Sequence, residues 1–499
     1  MRKTALLWGA LLVASAGGRL SAQENHLPEL DFQESPKFTT GHHNPLLDFA
    51  FVADPTSVEY EGRLYVYGTN DTQQLDSVGP AGKNGYQYIR SLAMLSTDDM
   101  VNWTYHGLID VARISPWSMA SWAPSVISRK EADGKTHFYI YYSNSGTGVG
   151  VLTATSPVGP WSDPLGHAIV WHGMPGLGHC PAPFDPGAVI DEHGTGWLAF
   201  GGGGKGEHGS EYMPGVARIV RLGKDLISLD SEIVEIEAPY HFEANELNYM
   251  NGTWIYTYNT SWVDRNEWPY ADIEKPSQCG MSYMTSRTPL VKESWQYQKE
   301  YFKNPGNYGW DFSNNHTHLQ KYRGEYYLLY HGMPLQKYKG TEGGFRSLCV
   351  DRLEVDEKKP ELFMGEATLQ GVQQIKPLNP YVTQQAETTA ATAGVDFEPT
   401  EQPGNMVATG RTDAPSAILV RGADFGRRAR TFTARLQGKG TLEVHLDKAE
   451  GTLVARISFD SETMETRTVQ VSSETTGMHD VCFVFEGSAL KFDEWCFGR

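Results

Sequence analysis

Three carboxylates stand at nearly the same distance ahead of a glycine in three separate stretches of this chain. Asp54 precedes Gly62 by eight residues, Asp185 precedes Gly194 by nine, and Glu243 precedes Gly252 by nine. His316 keeps the same offset, eight residues before Gly324. Acids brought from different segments to one place can divide a proton-transfer task, one carboxyl donating while an ionised partner accepts. A glycosidic bond needs such a pair, because its leaving oxygen must be protonated while a carboxylate activates water or attacks the sugar. Glu243 suits the acid: its side chain reaches further, and neighbouring carboxylates raise its pKa. Of Asp54 and Asp185, one suits the base and the other suits holding Glu243 protonated and oriented. Singly, each would be ordinary in a chain with 60 acidic residues, where Asp-Pro is a common turn starter. The matched offsets set them apart.

The glycines themselves define what must position these groups. GRLYVY from Gly62, GKTHFYIYY from Gly134, GTGWLAF from Gly194, GTWIYTY from Gly252 and GEYYLLY from Gly324 each read as a hairpin turn followed by an aromatic strand. They are spaced 72, 60, 58 and 72 residues apart, a period expected of propeller blades. The sequence therefore predicts an all-β, five-bladed propeller whose innermost strands carry Asp54, Asp185, Glu243 and His316 to one channel. The second unit differs. Trp122 lies twelve residues before Gly134 and brings no charge. Phe51, Trp122 and Phe184, beside these positions, are candidates to stack on a sugar ring, although single aromatics more often belong to a core. His318 follows His316 by two residues and is expected on the same strand face. No third ligand for a transition metal is apparent, whereas a Ca²⁺ or Na⁺ held beside His316 through water stays open.

Composition narrows the function classes. At 499 residues, two or three domains are expected. A formal net charge of −18 argues against nucleic acid and anionic membranes, and a neutral polysaccharide tolerates it. Arg2 and Lys3, the apolar run Ala5 to Ala16 and Leu20-Ser21-Ala22 read as a cleaved signal peptide over 1–22, hence an exported protein, with no membrane span elsewhere. Five scattered cysteines form neither a zinc pattern nor a disulfide framework, and Cys482 with Cys496 is the single pairing left open. The propeller is placed at 23–380. Beyond it, QQAETTAATAGVDFEPTEQPGN from Gln384 reads as a linker or domain start. Strands from Thr431, Thr441, Thr452 and Val481, with a turn at Gln437-Gly438-Lys439-Gly440, read as a β-sandwich (jelly-roll) over 381–499.

Several ordered motifs then resemble one family. FVADPTSVEYEGRLYVY, DDMVNWTYHG, ASWAPSV, GVGVLTATSPVGPWSDP, FDPGAVIDEHGTGW, FEANELNYMNGTW and NNHTHLQKYRGEYYLLYHG are similar to glycoside hydrolase family 43, the five-bladed propeller glycosidases. Within it, the chain resembles the arabinoxylan arabinofuranohydrolases that carry a family 6 carbohydrate-binding module. The resemblance implies Asp54 as general base, Glu243 as general acid and Asp185 as the residue tuning the acid, with inversion at the anomeric carbon. It implies a secreted α-L-arabinofuranosidase acting on plant cell-wall arabinoxylan, with no cofactor for the chemistry. A β-xylosidase, an arabinan-directed hydrolase and a non-catalytic carbohydrate-binding protein are the rivals. The resemblance also places His316 near a central cation, Arg346 near the substrate, and Glu387 and Asp493 at a structural Ca²⁺ of the C-terminal domain. Ion pairing at a blade edge is the alternative for Arg346. The sequence departs from the family in GHCPAP ahead of Phe184, in Ala417 where a sugar-platform tryptophan is usual, and in Lys491 where a sugar-contacting asparagine is usual.

Overall fold

The computed structural model describes residue 35 and residues 37–411, 415–472 and 475–499, so the expected signal peptide lies outside the described residues. Five antiparallel sheets follow one another along the first three quarters of the chain. Blade 1 runs Ala53–Tyr60, Arg63–Thr69, Ser91–Thr97 and Trp103–Asp110; blade 2 runs Trp122–Lys130, Thr136–Ser143, Gly148–Ala154 and Val170–Trp171. Blade 3 contains Gly187–Ile190, Gly196–Phe200, Ala217–Arg221 and Val234–Ile236, and blade 4 His241–Met250, Thr253–Thr260, Met281–Ser286 and Gln296–Phe302. Blade 5 has three strands, Thr317–Tyr322, Glu325–Gly332 and Ser347–Arg352. The five hairpin glycines take φ between 72° and 88°, which a side chain would oppose at each first turn.

Adjacent blades bury one apolar cluster per interface: Tyr67 and Leu92 meet Ile140 and Tyr142 between blades 1 and 2, and Ala199 and Ile219 meet Tyr256 and Met284 between blades 3 and 4. The ring is closed by residues ahead of blade 1. Leu46 N–H donates to the Leu348 carbonyl at 2.8 Å, and the Asn44 side chain accepts from Val350 N–H at 2.9 Å and donates to its carbonyl at 3.1 Å. Around the axis, polar atoms join the inner strands. Val126 N–H donates to Thr56 Oγ1 at 3.0 Å, Ala188 N–H to Ser125 Oγ at 2.9 Å, and Ser57 N–H to His318 Nε2 at 3.1 Å. Between blades 3 and 4 the backbones themselves touch: a Cβ on Gly187 would lie 2.5 Å from Glu246 Cα and 2.7 Å from the Asn245 carbonyl oxygen.

The C-terminal domain is a β-sandwich curled nearly into a barrel, dominated by Thr431–Leu446, Thr452–Gln470 and Met478–Gly498. One expectation changes here, and another narrows to one of its two alternatives. Gln437–Gly440 is a bulge inside one long strand and not a turn, because Gly438 at φ 98° bends the strand against Ala489 without reversing it. The stretch after Gln384 is no free linker. Thr388–Thr389 pairs with the outer strand of blade 1, Thr388 opposite Thr104 and Thr389 opposite Trp103. Its alanines are buried in the C-terminal domain, Ala386 in the main core with Trp495 and Ala391 in a smaller cluster with Leu419 and Cys482. Asp48 adds to the junction, accepting from Thr392 N–H and Thr392 Oγ1 at 2.9 Å each. All five cysteines are free thiols.

Because the contacts at Gly187 are backbone atoms that cannot rotate away, Gly187→Ala is expected to force blades 3 and 4 apart and cost about 3 kcal/mol or more. Thermal unfolding of the variant should show a fall in Tm of several degrees.

Candidate active site

The inner strands of blades 1 to 4 each begin with an irregularity that aims a side chain along the axis. Register shifts occur between Ala53 and Thr56, Trp122 and Ser125, and Glu243 and Glu246. Residues there adopt left-handed conformations: φ is 51° at Asp54, 31° at Ala123, 48° at Asp185 and 62° at Ala244. Aspartate tolerates this region better than most residues do. A neighbouring blade holds each bend. Asp54 N–H donates to His331 Nδ1 at 3.1 Å, Ala123 N–H to Thr69 Oγ1 at 2.8 Å, and Asp185 N–H to Ser143 Oγ at 2.8 Å. In blade 4 the acceptor is a carboxylate, Asp185 Oδ2, 2.9 Å from Ala244 N. The second unit, which departs from the spacing, is represented by Ala123, and Trp122 beside it walls the cavity. Ala123 stands before Pro124 as Asp54 stands before Pro55.

The bends bring Asp54, Asp185, Glu243 and His316 together in a cavity of about 80 Å³, walled by Trp122, Phe184, Tyr86 and Arg346. Larger grooves lie elsewhere; one gathers Glu211, Asp264 and Glu267, but Asp264 and Glu267 there are exposed to solvent and not buried together. Phe51 does not reach the cavity: it is 2% exposed and packs against Phe345, ring centroids 5.7 Å apart, with Leu335. His318 and Glu246 also stay out of it. They pair at 2.8 Å one layer further down the axis, where His318 Nδ1–H donates because Nε2 accepts from Ser57.

Charge separates the acids. Burial opposes ionisation of Asp54, but Arg346 Nη1 at 2.9 Å and His316 Nδ1 at 3.5 Å outweigh it and hold the carboxyl well below the usual range. Thr69 Oγ1 donates to its other oxygen at 2.7 Å. Glu243 receives no such support. Burial, then the charges of Asp185 and Asp54, push it up to about 8. Asp185 is raised to about 6, chiefly by burial, with His316 opposing the rise. At neutral pH the site thus holds an ionised Asp54 and a protonated Glu243. Burial lowers His331, consistent with a neutral ring whose Nε2–H donates to the Asn314 carbonyl at 3.0 Å.

Arg346 stands just ahead of Ser347–Arg352, the edge strand of blade 5, and is ion-paired there, but its side chain points inward. It lines the cavity, 2% exposed, and Asp71 grips it through Nε at 2.9 Å and Nη2 at 2.8 Å. Asp71, Tyr86 and His331 escaped the sequence reading. His331 was findable, because it lies seven residues after Gly324 as Thr69 lies seven after Gly62. Asp71 and Tyr86 belong to an insertion after Thr69 that no repeat position marks.

The profile of glycosyl hydrolases family 43 matches residues 42–359, and that of carbohydrate binding module (family 6) matches residues 385–499. The chain belongs to glycosyl hydrolase family 43. An arabinoxylan arabinofuranohydrolase of Paenibacillus polymyxa is 34% identical over 484 residues, covering 92% of this chain and 74% of that protein. One from Bacillus subtilis is 36% identical over 485 residues, 92% of each. A solved family 43 arabinoxylan arabinofuranohydrolase from Bacillus subtilis superposes with a TM-score of 0.84 at 34% identity, covering 92% of this chain and 98% of that one. The five-bladed propeller and the carboxylate chemistry of a glycosidase are thus family properties. A carbohydrate polymer fits both domains.

In the family 6 module, Ala417 is fully buried and Lys491 pairs with Glu398 at 2.7 Å, so neither offers a free sugar contact. Glu387 is 1% exposed; Oε1 accepts Met406 N–H at 3.0 Å while Oε2 is buried without a donor. An orphan carboxylate oxygen of this kind fits a hard cation. Asp493 fits less fully, because Arg435 already occupies it at 2.7 Å. Around His316 no trio of ligands converges; among the described residues only His208, Glu235 and Glu237 bring three together, and Lys292 already sits on both glutamates. No helix among the described residues is long and apolar enough to cross a membrane.

Glu243, held near 8 against an ordinary value of 4.5, favours folding fully only below the unfolded pKa, and that stability is lost as pH rises through 8. Glu243→Gln should therefore melt above the unsubstituted protein at pH 7–9 and level with it at pH 4, as measured by calorimetry across that range.

Proposed function

We propose that the chain is an inverting α-L-arabinofuranosidase that removes arabinofuranosyl side chains from arabinoxylan. The observation carrying this reading is one small cavity in which Arg346 pairs with Asp54 while Glu243 has no cation partner among the described residues, which sets the two carboxyls to opposite protonation. Asp54 is the general base that takes a proton from the attacking water, and Glu243 the general acid that protonates the departing oxygen. Asp185 keeps the acid protonated by its charge and fixes it by accepting Ala244 N–H, next in the chain to Glu243. Arg346 and His316 hold Asp54 ionised and aligned. Water attacking opposite the leaving group inverts the anomeric centre, which calls for carboxyls about 6.5–9.5 Å apart.

The substrate reading rests on the relatives' activity and on the surface around the cavity. Exposed aromatic rings flank the cavity in the chain: Tyr88 is two residues from Tyr86, and Phe312 is two residues from Asn314, which also lines the cavity, and is tilted against Trp262 at 5.8 Å. Rings beside a one-sugar pocket suit a polymer lying across it with its side chain inserted. Export is proposed from the basic and apolar character of residues 1–22. A structural cation is proposed at Glu387.

Proton NMR of arabinoxylan with fresh enzyme should show β-arabinofuranose before mutarotation. Early α-arabinofuranose would overturn inversion, and early xylose would move the enzyme to the xylosidases. Asp54→Asn and Glu243→Gln should each lower kcat on arabinoxylan by about 10²–10⁴-fold. The kcat/KM of the unsubstituted enzyme should fall above about pH 8 as Glu243 loses its proton.

Without a cation, burial pushes Glu387 up to about 8, so it costs stability as pH rises from its ordinary 4.5. Adding Ca²⁺ to chelator-treated protein should raise Tm at pH 8, and Glu387→Gln should abolish that rise. An unchanged Tm would dismiss the cation.

A further inference from the structure

Tyr86 forms a wall of the cavity, and no role assigned above uses it. It sits in the insertion between Thr69 and Ser91 of blade 1, at φ 63°. An aromatic residue rarely adopts that conformation, and such strain persists only where the surroundings fix it. Here they do. Asn84 ties the loop to blade 5, its N–H donating to the Gly343 carbonyl at 2.8 Å and its side-chain amide to the Gly344 carbonyl at 3.2 Å. The same amide donates to Asp71 Oδ2 at 2.7 Å. Tyr88 N–H donates to Gln74 Oε1 at 2.9 Å, and Trp122 Nε1–H to the Tyr86 carbonyl at 3.1 Å.

The ring is clamped as well. The Arg346 guanidinium lies 4.9 Å from its centroid, and the Trp122 ring meets its edge at 6.1 Å. What is left over is the hydroxyl. Among the described residues nothing hydrogen-bonds it, and the half-buried side chain lines the cavity instead of being sealed in the core. Burial, then Asp71, Glu243 and Asp54, push the phenol up to about 12 while Arg346 opposes them, so it remains a neutral donor beside the catalytic acids.

We infer that Tyr86 is a substrate-binding residue whose hydroxyl hydrogen-bonds a secondary hydroxyl of the furanose ring held in the cavity. The inference rests on the arabinofuranosidase reading. A fixed polar group with no protein partner favours a ring that supplies one and disfavours a ring that lacks it at that position. The clamped loop makes this selective, because the hydroxyl cannot turn aside to another acceptor without moving the Arg346 contact.

The test uses the full chain and Tyr86→Phe, with 4-nitrophenyl α-L-arabinofuranoside and its 2-, 3- and 5-deoxy analogues. The variant should keep the Tm of the unsubstituted protein, since the lost hydroxyl bonds nothing within it. On the parent substrate kcat/KM should fall about tenfold, the worth of one neutral hydrogen bond at the upper end of its range. On either the 2-deoxy or the 3-deoxy analogue, the two proteins should instead be equal, because the bond is already absent. Equal losses on all four substrates would make Tyr86 a packing wall and overturn the inference, as would no loss on the parent. The reading it rests on is judged separately, on the unsubstituted enzyme: cleavage of 4-nitrophenyl β-D-xylopyranoside alone would remove the furanose and this inference with it.

Discussion

The site depends on backbone N–H groups at the starts of the inner strands being held by the blade before. At Asp54, Ala123 and Asp185 a left-handed residue would relax into an ordinary strand were its N–H not fixed by His331, Thr69 or Ser143. Relaxation would turn the side chain off the axis, since consecutive residues of a regular strand face opposite sides. The bond is thus a positional device that happens to be a hydrogen bond. In blade 4 it is modified, and the modification matters. Gly201 stands in blade 3 at the place of Thr69 and offers no side chain, so Asp185 accepts Ala244 N–H itself. The residue that loads charge onto Glu243 also anchors the strand that carries Glu243.

Electrostatic division of labour follows from which blades neighbour which. Asp54 lies against blade 5, whose second strand gives His331 and whose third begins just after Arg346. Glu243 lies on blade 4, facing Asp185 across to blade 3, with no cation of its own. Two carboxyls of similar intrinsic acidity are therefore driven apart by the side of the channel from which each enters. Asp71 completes the arrangement by taking two of the Arg346 nitrogens and leaving Nη1 for Asp54.

How much of this could be read from residues alone depends on whether it repeats. The hairpin glycines, the five blades and the grouping of Asp54, Asp185, Glu243 and His316 were legible because each recurs at a fixed offset. Phe51 was misjudged because a residue two or three positions from a carboxylate can face either way at a bulge, and here it turns into the core beside Phe345. Asp71 and Tyr86 come from an insertion outside the repeat, whose position only the tertiary contacts of Asn84 settle. The Gln437–Gly440 bend looked like a turn because glycines mark both turns and bulges, and the strand that Gly438 crosses is far away in sequence.

The short strand Thr388–Thr389 has a bearing on how the protein comes apart. Were the chain cut ahead of it, the outer strand of blade 1 would present Trp103 and Thr104 as an uncovered edge, open to pairing with another molecule. Asp48, from the segment that closes the propeller ring, would at the same time lose both of its bonds to Thr392. Hydrolase and binding module therefore share one cooperative seam, and separating them by truncation trades a folded propeller for an adhesive one.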